Sequence, residues 1–192
     1  MKTSPWMIAL IAVAAASLSA CACGLAGEDS PKPASNEPAL VSDAPAPDGL
    51  SMQSLKHPTQ RHGVKFPSGD GWKQSAAKKL VAKHDKKGIY MSVFAQHFVG
   101  EGKRDSYTDS YIKNNERDAP EFKLVDRKSG SVGGYPASLK NGTFDNGTKH
   151  ATRDYLIFAD GSVYIVGGRA PVEHADELTA LIDHAASTFS TK

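Results

Sequence analysis

The most reactive side chains in this sequence of 192 residues are two cysteine thiols, Cys21 and Cys23, near its beginning. A thiol can be acylated, form a disulfide or bind a metal ion, and its neighbours decide which. The rest of the chain contains no cysteine. A disulfide therefore cannot stabilise the rest of the chain, and its seven histidines show no spacing typical of a zinc site. Cysteine chemistry is predicted only at this end of the chain.

The residues before Cys21 have the arrangement of a lipoprotein export signal. Lys2 supplies a positive charge, residues 6–16 form an apolar segment, and leucine, serine and alanine at 18–20 lead into the cysteine. The apolar segment is shorter than the roughly 20 residues that a membrane-spanning helix needs. We predict that residues 1–20 are a signal peptide and that Cys21 becomes the acylated first residue of the mature chain. A plain cleavable signal is the alternative.

Lipidation at this position has consequences for location and partners. Two or more acyl chains anchor a protein stably in a bilayer. The sequence therefore predicts a protein held at the cell membrane or outer membrane of a bacterium, with its domain facing the periplasm or the exterior. Its predicted partners are the membrane, through the acyl chains, and an envelope protein of unknown identity.

The composition divides the remaining chain into two parts. Residues 21–60 combine several prolines with alanine, serine and acidic residues, which predicts a lipidated N-terminus followed by a disordered linker. Residues 61–192 have the length of one globular domain. The net charge of +2 excludes the strongly basic surface that nucleic-acid binding requires.

Hydrophobic periodicity predicts the elements of this domain. The segments with strand character are 63–66, 80–84, 89–98, 122–127, 135–144, 149–159 and 162–168, with a further short strand starting at Trp72. Strand 89–98 is apolar on both faces, which is typical of a central strand covered on both sides. Helices are predicted over 106–118 and 172–189, the second with its apolar residues at helical spacing. The glycine-rich run 130–134 precedes a strand, so we interpret it as a flexible connection, not a phosphate-binding loop.

These elements predict an α+β fold, a twisted antiparallel sheet with helices packed on its faces. The order of short motifs also resembles the PsbP-like family, which includes the LpqN-type and DcrB-type bacterial lipoproteins. The matching segments are 63–67, 71–72, 134–137, 154–158 with 163–166, and 187–189. The resemblance implies an α-β-α sandwich with accessory or envelope roles, mostly without catalysis.

The candidate contact surface is the loop from residue 99 to 105 together with the helix that follows it. Arg104, Tyr107 and Tyr111 are its candidate contact residues, because loops on a rigid scaffold often carry binding and tyrosines supply large contact areas. The alternative is that both tyrosines pack inward. No catalytic motif, cofactor-binding motif or metal-ligand pattern is present, so no catalytic residue, cofactor or metal is predicted.

Three functions agree with these observations. We favour a lipid-anchored envelope lipoprotein that acts as a non-catalytic binding or accessory module. The alternatives are an envelope enzyme whose site is not recognisable from the sequence, and a carrier of a small apolar ligand.

Overall fold

The computed structural model describes residues 35–98, 100 and 102–191. The predicted signal peptide and the predicted lipidation site, Cys21, lie outside this part of the chain. The elements are β1 (Ala39–Val41), β2 (Ser51–Lys56), β3 (His62–Ser68), β4 (Trp72–Ala76), β5 (Leu80–His84), β6 (Ile89–His97), α1 (Arg104–Asp118), β7 (Lys123–Val132), β8 (Tyr135–Asp145), β9 (Lys149–Ala159), β10 (Ser162–Pro171), α2 (Ala175–Ser187) and β11 (Ser190–Thr191).

The strands form two sheets. The large sheet has eight strands in the order β1-β7-β8-β9-β10-β6-β5-β4, and the small sheet has three in the order β11-β3-β2. All neighbours in the large sheet run antiparallel except β1 and β7, which are parallel. The predicted α+β class is therefore confirmed, with a mixed sheet in place of a purely antiparallel one.

Tight turns connect the central strands β7 to β10. Gly133 and Gly134 join β7 to β8 with φ angles of 58° and 83°, and Asp160 and Gly161 join β9 to β10 with 51° and 68°. Two-residue hairpin turns require positive φ at both positions, which glycine adopts without steric cost. The local sequence thus specifies the meander on which the rest of the domain is built.

The large sheet is covered on both faces, as its apolar alternation predicts. On one face, α2 buries Leu178, Leu181 and Ile182 in a core that includes the small sheet. On the other face, α1 packs over a second apolar cluster around Leu156 and Ile165. Within the described ranges, neither helix combines the length and hydropathy needed to cross a bilayer.

The segment predicted as a disordered linker requires a correction between residues 35 and 60. This part contains β1 and β2, and β2 pairs with β3 along six residues, from Ser51 opposite Ser68 to Lys56 opposite Gly63. The segment before β1 can pack closely against β7 because residue 130 is a glycine. A Cβ atom at this position would lie 2.4 Å from the carbonyl oxygen of Pro38. Long-range pairing therefore orders a segment whose composition alone indicates disorder.

Two further boundaries differ from those predicted. The predicted helix 172–189 is a short 3-10 turn at Val172–His174 followed by α2, because Pro171 still belongs to β10. The glycine-rich run 130–134 is not a flexible connection, since its first three residues end β7 and the last two form the turn to β8.

Two buried histidines lie together at the β2–β3 hairpin. The rings of His57 and His62 are 5.1 Å apart, and the edge of His62 meets the ring of Tyr164. Burial, with a smaller contribution from His57, lowers the pKa of His62 to about 4. Protonation of this ring is therefore easier in the unfolded chain, where its pKa is close to the ordinary value of about 6.5.

We expect the domain to lose stability as the pH falls from about 6.5 towards 4, because His62 takes up its proton more readily when unfolded. His62→Phe keeps a ring against Tyr164 but cannot titrate. Melting temperatures measured between pH 7 and pH 5 should fall less steeply for this variant than for the native chain. Equal slopes for the two proteins would contradict the assignment.

Candidate binding cleft

Helix α1 is held on the sheet by few contacts. Only Thr108 and Ile112 of its residues are buried. The Thr108 hydroxyl lies 3.2 Å from that of Ser138 on β8, and Arg127 on β7 pairs with Asp105 and Asp109 of the helix. Tyr107 and Tyr111 add contacts with β6, β9 and β10, but α1 covers only part of its face of the sheet.

A cleft of about 370 Å³ opens beside the C-terminal half of α1, over the parts of β6, β9 and β10 that the helix does not cover. Its lining includes Tyr90, Ser92, Tyr111, Asn115, Asp154 and Arg169, and we call it the α1 cleft. It continues alongside the helix past Gln96, Ser110 and Asn114. Aromatic walls with a few converging polar groups are typical of ligand sites.

A buried ion pair supports the floor of the α1 cleft. The Lys140 ammonium is fully buried and lies 2.8 Å from Oδ2 of Asp154, whose side chain is also largely buried. The N–O distance is that of an ion pair, although the alignment is not that of a hydrogen bond. The rings of Tyr111 and Phe122 lie 5.0 and 4.9 Å from the ammonium, where cation–π attraction helps to compensate its loss of water. One carboxylate and two rings therefore hold this lysine.

Tyr111 completes this group as a neutral phenol. The Tyr111 hydroxyl donates a hydrogen bond to Oδ2 of Asp154 at 3.4 Å. The backbone carbonyl of Tyr111 accepts a hydrogen bond from the side-chain amide of Asn115 at 2.7 Å. Burial, reinforced by the charge of Asp154, raises the pKa of Tyr111 well above its usual value. The phenol therefore keeps its proton and acts as a hydrogen-bond donor at neutral pH.

The three candidate contact residues lie on α1, but they do not form one exposed surface. Arg104 donates two hydrogen bonds to Glu37, at 2.7 and 3.2 Å, and these bonds are the main reason that the pKa of Glu37 is lowered. Tyr107 packs edge-on against Phe98 and donates to Gln96. Tyr111 also faces the sheet.

The structure thus places Tyr107 and Tyr111 along the α1 cleft, with Arg104 lining a separate hollow. Inward packing of both tyrosines was the alternative interpretation, and their role in contact stays a prediction. Residues 99 and 101 of the predicted contact loop lie outside the described residues.

Sequence reasoning missed the charged residues beneath the cleft. Lys140 and Asp154 each occupy an inward position in a strand that is buried along much of its length. A charged residue at such a position usually requires a partner. That signal was present, but the register that places Lys140 opposite Asp154 depends on strand pairing.

Histidines do not gather into a metal site in the described residues, where no group of three His, Cys, Asp or Glu side chains could hold an ion. The ring of His84 accepts from the backbone of Lys87 at 3.3 Å, and His184 donates to the carbonyl of Ala44 at 2.8 Å. Among the described residues, no histidine or cysteine lines the α1 cleft.

Comparison with known proteins identifies the fold and not a family. No family model matches the chain, and no curated protein matches its sequence. Among solved structures, the Ran-binding protein Mog1p of Saccharomyces cerevisiae aligns with a TM-score of 0.55 and 8% identity, covering 74% of this chain and 96% of that one.

Two further structures are similar. Cyanobacterial PsbP (CyanoP) of Synechocystis sp. PCC 6803 aligns with a TM-score of 0.53 and 12% identity, over 74% of this chain and 93% of that one. PA94 of Pseudomonas aeruginosa, a protein of unknown function, aligns with a TM-score of 0.51 and 15% identity, over 73% and 97%. The chain therefore has the PsbP-like α+β fold that its sequence motifs predicted.

Proposed function

We propose that this protein is a lipid-anchored, non-catalytic binding module of the bacterial cell envelope that receives its ligand or partner in the α1 cleft. The observation that carries the proposal is the partial cover of the sheet by α1, which leaves aromatic and polar side chains together in one open cleft. Mog1p, which shares the fold, is described as a Ran-binding protein, so this fold supports protein binding in that case.

An enzyme is less compatible with the cleft than a binding module. Nucleophilic catalysis needs a nucleophile beside a general base. None of the residues lining the α1 cleft is a histidine or cysteine, and its two carboxylates already contact cations, Asp154 with Lys140 and Asp118 with Arg117.

A carrier of a purely apolar ligand is also disfavoured. Such a ligand would cover Asn115, Asp154 and Arg169 in the cleft without offering them hydrogen bonds. Desolvating polar groups without new partners costs free energy. A ligand with polar groups of its own suits this lining better.

The membrane anchor is tested by Cys21→Ser. We expect the variant to lack acyl chains, and either to move to the soluble fraction or to accumulate with its signal peptide uncut, because lipid attachment precedes cleavage in this pathway. Fractionation and the intact mass of the protein report the two results. A processed variant that stays in the membrane fraction would contradict lipid anchoring at Cys21.

The cleft is tested by photo-crosslinking in intact cells. A photoreactive residue replaces Asn114, which borders the cleft on α1, or Thr179, an exposed position on α2 that serves as the matched control. We expect a discrete crosslinked product from position 114 that position 179 does not give. Tyr107→Phe or Tyr111→Phe, which keeps the packed ring and removes only the hydroxyl, should reduce this product if that hydroxyl makes contact. Equal products from both helices would assign binding to another surface.

A further inference from the structure

One oxygen of Asp154 is left free to accept a hydrogen bond from a ligand. Lys140 and Tyr111 both contact Oδ2, whereas Oδ1 has no hydrogen-bond donor among the described residues. The residue is only 8% exposed, and what exposure it has is towards the α1 cleft. This oxygen is not among the buried polar atoms without a partner, so a donor in the cleft can reach it. A ligand that brings a donor group would satisfy this acceptor.

Small residues keep this oxygen accessible. Strand pairing places Ser92, Gly167, Asp154 and Lys140 in one row across β6, β10, β9 and β8. A Cβ atom on Gly167 would lie 1.9 Å from Oδ1 of Asp154, so only glycine allows the carboxylate to lie there. Gly167 and Ser92 form a shallow trough beside the acceptor.

Two cations lie beside the ring of Tyr90, which lines the α1 cleft together with Arg169. The guanidinium of Arg169 is 5.5 Å from the centre of the Tyr90 ring, and the Lys79 ammonium is 5.2 Å from it. Both side chains are exposed, and neither has a carboxylate within ion-pair distance in the described part of the chain. They attract an anionic group to this part of the cleft.

The spacing of the two ends suits a small molecule. Arg169 follows Gly167 by two residues and therefore faces the same side of the sheet, about 7 Å further along β10. Phe94, Phe122 and Phe144 line the cleft and offer apolar contact. The two ends differ in chemistry, since Oδ1 of Asp154 offers a hydrogen-bond acceptor, whereas Arg169 and Lys79 attract an anionic group.

We propose that the α1 cleft binds a small zwitterion of the amino-acid class, with its ammonium group on Oδ1 of Asp154 and its carboxylate at Arg169. The apolar part of the ligand packs against the phenylalanines. The volume of about 370 Å³ lies within the range of small-molecule sites. This inference rests on the proposed function of the cleft as a binding surface.

The test is a thermal-shift and calorimetric titration of the purified full chain in detergent. Each of the common amino acids is added at about 10 mM, since a ligand raises the melting temperature when its concentration exceeds its dissociation constant. We expect at least one amino acid with an apolar side chain to bind. Its N-acetyl derivative, which lacks the ammonium, and its amide, which lacks the carboxylate, should each bind at least tenfold more weakly. The dipeptides that carry the same residue first or last distinguish a free amino acid from a peptide end.

Variants assign the two ends of the ligand. Arg169→Gln should weaken the amino acid at least tenfold and leave its amide unaffected, while Arg61→Gln, an exposed arginine on the β2–β3 loop, should change neither. Since removal of Asp154 alone can unfold the domain, the acceptor is removed together with its partner in Lys140→Met/Asp154→Leu. Ser92→Val fills the trough and should abolish binding in a folded protein.

Binding of no amino acid or dipeptide, or equal binding of the acetylated and amidated forms, would overturn the inference. Such a result leaves the proposed function intact if position 114 still gives the crosslinked product that position 179 does not give. If position 114 gives no such product either, both the proposed function and this inference are contradicted.

Discussion

Replacing Asp154 by alanine is expected to destabilise the domain by about 3–5 kcal/mol, because it leaves the ammonium of Lys140 buried without a counter-charge. Lys140 is fully buried, and Asp154 is the only carboxylate within ion-pair distance of it among the residues that the structure describes. Two aromatic rings remain beside the ammonium, but cation–π attraction recovers only part of the lost interaction. Urea unfolding measured by circular dichroism gives the change in free energy.

Two variants separate the unpaired charge from other effects of this change. Asp118→Ala removes an exposed carboxylate that also borders the cleft, and it should alter stability by no more than about 0.5 kcal/mol. Lys140→Met/Asp154→Leu replaces the ion pair by apolar side chains and should recover most of the loss, since such replacements are often neutral or stabilising. A stable Asp154→Ala, or no recovery in the double variant, would show that the pair does not support the cleft floor.

Leu181→Ala should have an effect of similar size on the opposite face of the sheet. Leu181 is fully buried in the core that α2 forms with the large and small sheets. Removing its side chain loses apolar burial and leaves a cavity, at a typical cost of about 2–5 kcal/mol. The melting temperature and the urea midpoint should both fall.

Thr179→Ala is the matched control, because this position lies on the exposed side of α2. Its substitution should stay within about 0.5 kcal/mol of the native chain. If Leu181→Ala had the same melting temperature as the Thr179→Ala control, the buried face assigned to α2 would be incorrect. The Asp154 and Leu181 results together test whether both faces of the sheet contribute to stability.

Elements with a strong local pattern could be predicted from the sequence. Strand β6 has apolar residues on both faces, and the apolar residues of α2 recur at helical spacing. Both elements were therefore recognisable without knowledge of the strands and helices that they contact. The turn at Asp160–Gly161 joins β9 to β10, which follow one another in the chain and are neighbours in the sheet. Local propensity and tertiary structure agree in this meander.

The N-terminal strands β1 and β2 lack such a local pattern, and for this reason they could not be predicted from the sequence. β1 has only three residues, and β2 exposes four of its six residues, so neither strand carries a long apolar pattern. Their order comes from pairing with β7 and β3, which follow them in the chain. Composition measures what a segment can bury by itself, and these two strands are stabilised by partners.

The candidate site divides in the same way. From the sequence alone we predict an export signal, which lies outside the described residues, and we could recognise the aromatic residues of α1 and the apolar strands beneath them. Each of these depends on side chains close together in the chain. The tertiary structure was needed to show that α1 leaves parts of β6, β9 and β10 uncovered, that Tyr111 faces inward and that Lys140 lies against Asp154. The position of Lys140 opposite Asp154 depends on strand register, and the position of Tyr111 depends on where the weakly amphipathic helix α1 packs on the sheet. Contacts between residues far apart in the sequence set both the register and the helix position.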